Sequence, residues 1–302
     1  MHRKTMLERY QEYTARREEA IANSPKGDPF AFYERYLPPF NYWGNITYVG
    51  DNWCSSYIVD TGDGLVMLDS GCPAGSIAML IQTIWEAGFN PRDVKYLIIE
   101  HCHIDHAGGA NFMKNMFGTK LVCSRVEADV LRNHPEWSAM MDSSDIADCN
   151  FIPDIEVEDG ETLTVGNTTF TFMLTPGHTP GAMAVFFNAT DGSVEKRAGF
   201  FGAHGLNTVT NKHLTEIGDP EFRTRQIFLD SVKRMRREHV DIFVSGHTGM
   251  NKILAKLAQM QENPGVNLFD NPENWNTFCD NKIEELELFI QDPTRKFRYG
   301  AG

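Results

Sequence analysis

From Ile46 onward the chain alternates between two apolar patterns. The runs ITYVG, CSSYIVD and LVMLD are short, rich in β-branched and aromatic residues, and separated by turn residues such as Thr61-Gly62-Asp63-Gly64, so they predict strands. From Pro73 to Gly88 apolar residues fall at 77, 80, 81, 84 and 85, a period near 3.6 that predicts a helix closed by glycine. VKYLIIE follows as a continuous apolar run, the pattern of a strand buried on both faces. AGGANFMKNMFG predicts a helix, TKLVCS a strand, and Arg125 to Asn133 another helix. After an acidic, irregular surface excursion over 134–160, strands are predicted at ETLTV, TTFTFMLT, AMAVFFN, KRAGFF and DIFVS. Helices are predicted at 221–239, read as the longest, at 252–263, and as one short helix around 283–290. Strand blocks alternating with helices predict one α/β domain in which helices cover a pair of sheets.

Two segments precede this body. Residues 4–22 predict a polar amphipathic helix ended near Asn23-Ser24-Pro25, either a solvated lead-in or a contact or lid. Residues 28–43 are aromatic and proline-rich (Phe30, Phe32, Tyr33, Tyr36, Phe40, Tyr42, Trp43) and either pack on the domain or line a pocket mouth. The expected organisation is an amino-terminal extension over 1–44, a main domain over 45–265, and a carboxy-terminal extension over 266–302 packing on the same domain.

Composition narrows the functional classes. A formal net charge of −13 argues against nucleic-acid and anionic-membrane partners, both of which reward a basic patch. The one basic stretch, Lys233, Arg234, Arg236 and Arg237, has the helical spacing of a solvated face. No apolar run approaches a membrane span, and the charged start lacks a signal-peptide core. The six cysteines show no C-x-x-C pair or disulfide-framework spacing, which suits a reducing compartment. A cytoplasmic location is therefore expected. The oligomeric state is left open.

The chemistry concentrates in His101-Cys102-His103-Ile104-Asp105-His106, directly after VKYLIIE. Imidazole and carboxylate are donors that zinc accepts, and a strand end makes their loop rigid. His101 and His103 can point to the same side of an extended segment, while Asp105 and His106 sit where the chain turns into a helix and can face a second ion. Two more histidines follow strands in glycine-rich turns, His178 in TPGHTPG and His247 in SGHTG, where backbone can approach a metal closely. Cys102, between two donors, is expected to face away from them.

On YIVDTGDGLVMLDSG, HCHIDHAGG, LTPGHTPG and the late SGH, in that order, the chain resembles the metallo-β-lactamase superfamily from about Asn45 to Ile253. The resemblance implies an αββα sandwich with the site at one edge. It implies two zinc ions, one held by His101, His103 and His178, the other by Asp105, His106 and His247. Asp69, before Ser70-Gly71, matches the family's supporting aspartate, expected to accept a hydrogen bond behind the metal loop. The lead-in GNITYVG and LTPGHTPG are most similar to the β-lactamase subclass with His-His-His and Asp-His-His sites. Many relatives, among them glyoxalase II, lactonases and nucleases, carry a bridging aspartate where this chain reads Phe200-Phe201-Gly202-Ala203-His204-Gly205-Leu206, without a carboxylate. Either Ala203 or His204 falls at that place, so His204 is a pocket-lining donor or a non-standard ligand. The implied activity is hydrolysis of a small-molecule substrate, a cyclic amide, by a metal-bound hydroxide, with Asp105 as the catalytic carboxylate. Lactone, ester or thioester hydrolysis is the same chemistry on another substrate. An iron-dependent redox enzyme of the fold is the more distant alternative, since diiron relatives place a glutamate where His103 stands.

Overall fold

In the computed structural model, residues 35–71, 75–138 and 150–294 are described, together with isolated helical positions at Glu8, Gln11 and Ala15. The remainder of the expected 4–22 helix and the middle of the acidic excursion lie outside the described residues.

Two sheets face each other. The first runs in spatial order through β1 (Phe40–Trp43), β2 (Ile46–Tyr48), β3 (Tyr57–Asp60), β4 (Leu65–Leu68), β5 (Val94–Ile98), β6 (Lys120–Ser124) and β7 (Ile155–Val157). Its first four strands pair antiparallel, and β4 to β7 pair parallel. The second is ordered β12 (Ile242–Ser245), β11 (Glu195–Phe201), β10 (Met183–Thr190), β9 (Thr168–Leu174) and β8 (Thr162–Val165), antiparallel except for β11 against β12.

Residues of both sheets share one apolar layer, including Val59, Leu68 and Ile98 from the first and Phe172, Phe187 and Phe200 from the second. Each such fully buried phenylalanine contributes roughly 1.5–3 kcal/mol. The outer face of the first sheet packs on α1 (Gly75–Glu86), α3 (Ala110–Phe117) and α4 (Arg125–Asn133), through Leu80, Ile84, Met113 and Val130. The outer face of the second packs on α6 (Arg223–Met235) and α8 (Glu273–Gln291), through Phe228, Val232, Trp275 and Phe278. The layers are therefore helices, sheet, sheet, helices, as the resemblance implied, and the sandwich explains the unbroken apolar runs: LVML is buried at every position.

Three expectations change. Among the described residues the longest helix is α8, with 19 residues, rather than the one at 221–239. The short helix expected at 283–290 is the end of it; Asn274 and Asn276 hid the earlier period carried by Trp275, Phe278 and Cys279. The excursion ends in a strand, β7, pairing with β6. Phe40, Tyr42 and Trp43 of the aromatic segment form edge strand β1, buried against the inter-sheet layer.

Two tyrosines tie the first sheet to the strand that delivers His247: Tyr42 Oη donates to Phe243 O at 2.6 Å and Tyr57 Oη to Ser245 O at 2.9 Å. Among the described residues no helix is long and apolar enough to cross a membrane.

Candidate metal centre

All the donor loops leave strand ends on one edge of the sandwich. After β5 the chain passes through His101 and His103 into α2 (Ile104–Ala107), whose first turn carries Asp105 and His106. His178 follows β9, and His247 follows β12. Each group of donors thus draws on both sheets.

In the first group His101 Nε2 lies 3.0 Å from His103 Nδ1, which lies 3.0 Å from His178 Nε2. The three rings stand nearly perpendicular in pairs, at 78 to 90°. Three imidazole nitrogens converging on one point match a tetrahedral zinc face, whose donors sit about 3.3 Å apart for bonds of about 2.0 Å. The opposite nitrogens are engaged: His101 Nδ1 is 2.6 Å from Glu100 Oε1, and His178 Nδ1 is 2.8 Å from Gly205 O and 3.1 Å from Thr208 Oγ1. Protons held there leave the Nε2 lone pairs pointing inward. Burial, reinforced by the neighbouring imidazoles, holds His101 and His178 well below the ordinary histidine range, and burial brings His103 to about 4. All three are neutral at pH 7, the form that binds metal.

In the second group Asp105 Oδ2 is 3.6 Å from His106 Nε2 and 3.5 Å from His247 Nε2, and the two nitrogens are 3.0 Å apart. Burial brings His247 to about 4. Burial also opposes the charge on His106, but Asp105 and Asp69 outweigh it and raise that residue to about 10. Burial likewise opposes ionisation of Asp105, yet His106 and His247 hold it below the usual carboxylate value. Its Oδ1 is buried with no hydrogen-bond partner. A buried orphan carboxylate oxygen beside converging imidazoles is the signature of a cation's place. The residues present fit two metal ions.

Behind the donors stands a carboxylate frame. Asp69, with φ of 52°, accepts Glu100 N–H at 3.0 Å on Oδ1 and faces His106 Nδ1 at 2.6 Å with Oδ2. Glu100 touches both groups: Oε1 is 2.6 Å from His101 Nδ1 and 3.5 Å from His106 Nδ1, and Oε2 accepts Ala203 N–H at 3.2 Å. Burial pushes the Glu100 carboxyl well above its usual range. Glu127, on α4, accepts Cys102 N–H at 2.6 Å, Gly181 N–H at 2.9 Å and the Thr179 hydroxyl at 3.1 Å, binding the two histidine loops together. Gly202 and Gly246 lie back to back under His106. A β-carbon on Gly246 would come within 2.4 Å of Gly202 Cα, and one on Gly202 within 2.5 Å of Glu100 Oε1.

The structure thus gathers all six expected donors with Asp69 behind them. Cys102 lies in the outer apolar layer, away from the donors. His204 sits beside the second group, its ring centroid 5.2 Å from that of His247 and its Nδ1 2.9 Å from Gly202 O. Glu100 and Glu127 are positions that the sequence pattern does not single out. The first closes the apolar run VKYLIIE, and a carboxylate there is the available signal of an interior partner. The second sits in the ordinary polar pattern of a helix.

Residues 49–191, a little under half of the chain, match the family model of the metallo-beta-lactamase superfamily. Over 156 residues the chain is 24% identical to an N-acyl homoserine lactonase of Bacillus thuringiensis, covering 44% of this chain and 57% of that protein. It is 33% identical over 111 residues to hydroxyacylglutathione hydrolase GloC of Haemophilus influenzae, covering 36% of this chain and 50% of that protein. The chain spans about half the length of the curated relatives it matches. The crystal structure of BJP-1, a subclass B3 metallo-beta-lactamase of Bradyrhizobium japonicum, superposes with a TM-score of 0.74 at 25% identity, covering 86% of this chain and 96% of that one.

Proposed function

We propose that the chain, whose residues 49–191 match the metallo-beta-lactamase superfamily model, is a zinc-dependent hydrolase of a small molecule with a cyclic amide, as in β-lactams. The observation that carries this reading is the convergence of six donors into a three-imidazole group and an aspartate-imidazole-imidazole group. His101, His103 and His178 would hold one ion, and Asp105, His106 and His247 the other. Bound there, zinc supplies Lewis-acid polarisation of the scissile carbonyl and a nucleophile from water at neutral pH.

The protein's own part is positional. Glu100 fixes the ring of His101, and Asp69 that of His106, so both present Nε2 inward. Asp105 has an oxygen to spare and accepts a hydrogen bond from the attacking water, orienting it toward the substrate. Burial of every donor except the slightly exposed His247 keeps competing solvent away.

Lactone or thioester hydrolysis is the second reading, favoured by the lactonase and the glutathione-ester hydrolase among the relatives. Against it stands the segment Gly202-Ala203-His204-Gly205, which offers no carboxylate at the place where those relatives are expected to carry a bridging aspartate. A reducing, cytoplasmic setting suits the buried cysteines, Cys102, Cys123 and Cys279 among them, none of which forms a disulfide.

The test is hydrolysis of a chromogenic cephalosporin by zinc-loaded protein, with and without chelator. Chelator-sensitive turnover supports the cyclic-amide reading. Absence of turnover with two zinc ions bound shifts the substrate to lactones and thioesters, and failure to bind zinc removes the hydrolase reading altogether.

A further inference from the structure

The second donor group has a neighbour outside the six residues. Cys54 Sγ, a carboxylate oxygen of Asp105 and a ring nitrogen of His247 all lie within 4.8 Å of one another, and Cys54 is 1% exposed. A tetrahedral zinc with bonds of about 2.3 Å to sulfur and about 2.1 Å to nitrogen sets the two donors about 3.6 Å apart, so this set closes on one ion with shifts of about 1 Å.

The backbone builds this proximity. Ser55 N–H donates to Gly246 O at 2.9 Å, Thr248 N–H to Trp53 O at 3.0 Å, and Cys54 pairs with His247 as an isolated antiparallel bridge. Asp51 Oδ1 then accepts Trp53 N–H at 2.8 Å and Cys54 N–H at 2.6 Å, fixing the turn that presents the thiol. The residue bearing the sulfur is therefore fastened to the residue bearing the imidazole. A second observation points to the same place: Asp105 Oδ1 has no partner, although the residue is only 4% exposed.

We propose that Cys54 is a thiolate ligand of the second metal position, joining Asp105, His106 and His247; this rests on the metal-centre reading above. Four protein donors would complete a tetrahedral set, and the soft sulfur would favour zinc over iron or manganese there.

The full chain, loaded with two equivalents of zinc or of cobalt, gives a readout independent of turnover. X-ray absorption of the zinc form is expected to show a sulfur shell at about 2.3 Å. The cobalt form is expected to show a sulfur-to-cobalt charge-transfer band in the near ultraviolet. Cys54→Ser should abolish both and weaken the second equivalent of metal by roughly 10–100-fold, the scale known for losing even an outer partner of a ligand. Two bound equivalents without a sulfur shell in the unmutated protein would overturn the role of Cys54 and leave the metal centre standing. A sulfur shell that persists in folded Cys54→Ser would overturn it too. Binding of no metal would remove the proposal and the hydrolase reading together. The spectra of the unmutated protein decide the matter even if the variant fails to fold.

Discussion

Asp69 Oδ2 lies 2.6 Å from His106 Nδ1, while Oδ1 of the same carboxylate receives the N–H of Glu100 at 3.0 Å. One side chain thus orients a donor ring and pins the start of the loop that carries four donors. It does so from a left-handed backbone position, which aspartate tolerates better than most residues. Glu100 in turn meets His101 at 2.6 Å.

These two carboxylates should separate by metal position. Asp69→Asn is expected to weaken the second equivalent of zinc by about 10–100-fold, and Glu100→Gln to weaken the first by a similar factor. Stepwise zinc titration against a chromophoric chelator measures both. Equal loss of the two equivalents in each variant would contradict the assignment.

Asp105→Asn should reduce turnover by about 10²–10⁴-fold while the protein still folds, with a lower metal-free melting temperature because His106 loses one of its carboxylate neighbours. Steady-state kinetics and thermal melting of the metal-free forms check the two halves of the statement. Full activity with full metal content would remove Asp105 from the reaction.

Glu127 is a structural clamp. Glu127→Ala leaves the N–H groups of Cys102 and Gly181 and the Thr179 hydroxyl unpaired in the interior. A loss on the order of 3 kcal/mol is expected by urea denaturation, with accompanying loss of first-position zinc because the His178 loop is no longer held. A stability change within experimental error would show that the loops hold without it.

Metal-free protein should be most stable near neutral pH. Burial keeps His103 and His247 unprotonated in the folded state down to about 4, whereas the unfolded chain takes up those protons near 6.5. The unfolded state then binds more protons between those values, so stability falls as the pH drops from 6.5 to about 4. His106 acts in the opposite sense. Burial disfavours its proton, but Asp105 and Asp69 keep it to about 10, so its contribution is present below 6.5 and is lost as pH rises through 10. Melting temperatures of chelator-treated protein across this range are the check, and a rise toward pH 4 would refute it.

Much of the candidate centre is legible in the sequence because its donors are local there. His101, His103, Asp105 and His106 lie in six residues, and β5 delivers them rigidly to the sheet edge. His178 and His247 were legible through their strand-then-glycine settings. The supporting residues were less so, because their roles depend on distant pairing. Glu127 reads as one polar position of a helix until the fold brings it to Cys102 and Gly181. Cys54 reads as a strand-entry residue until β12 brings His247 alongside. The full length of α8 was hidden by asparagines interleaved among its buried positions.

Gly202 and Gly246 give the floor of the centre a property that the rim does not share. A β-carbon on Gly202 would meet Glu100 and His106, and one on Gly246 would meet the backbone of Gly202 and, less closely, His106. Neither position can therefore accept a side chain without displacing a donor or the carboxylate behind it. Variation at this edge is therefore closed at these two positions and left to the loops above the donors. Libraries that randomise the whole edge should return both glycines untouched while the surrounding rim drifts freely.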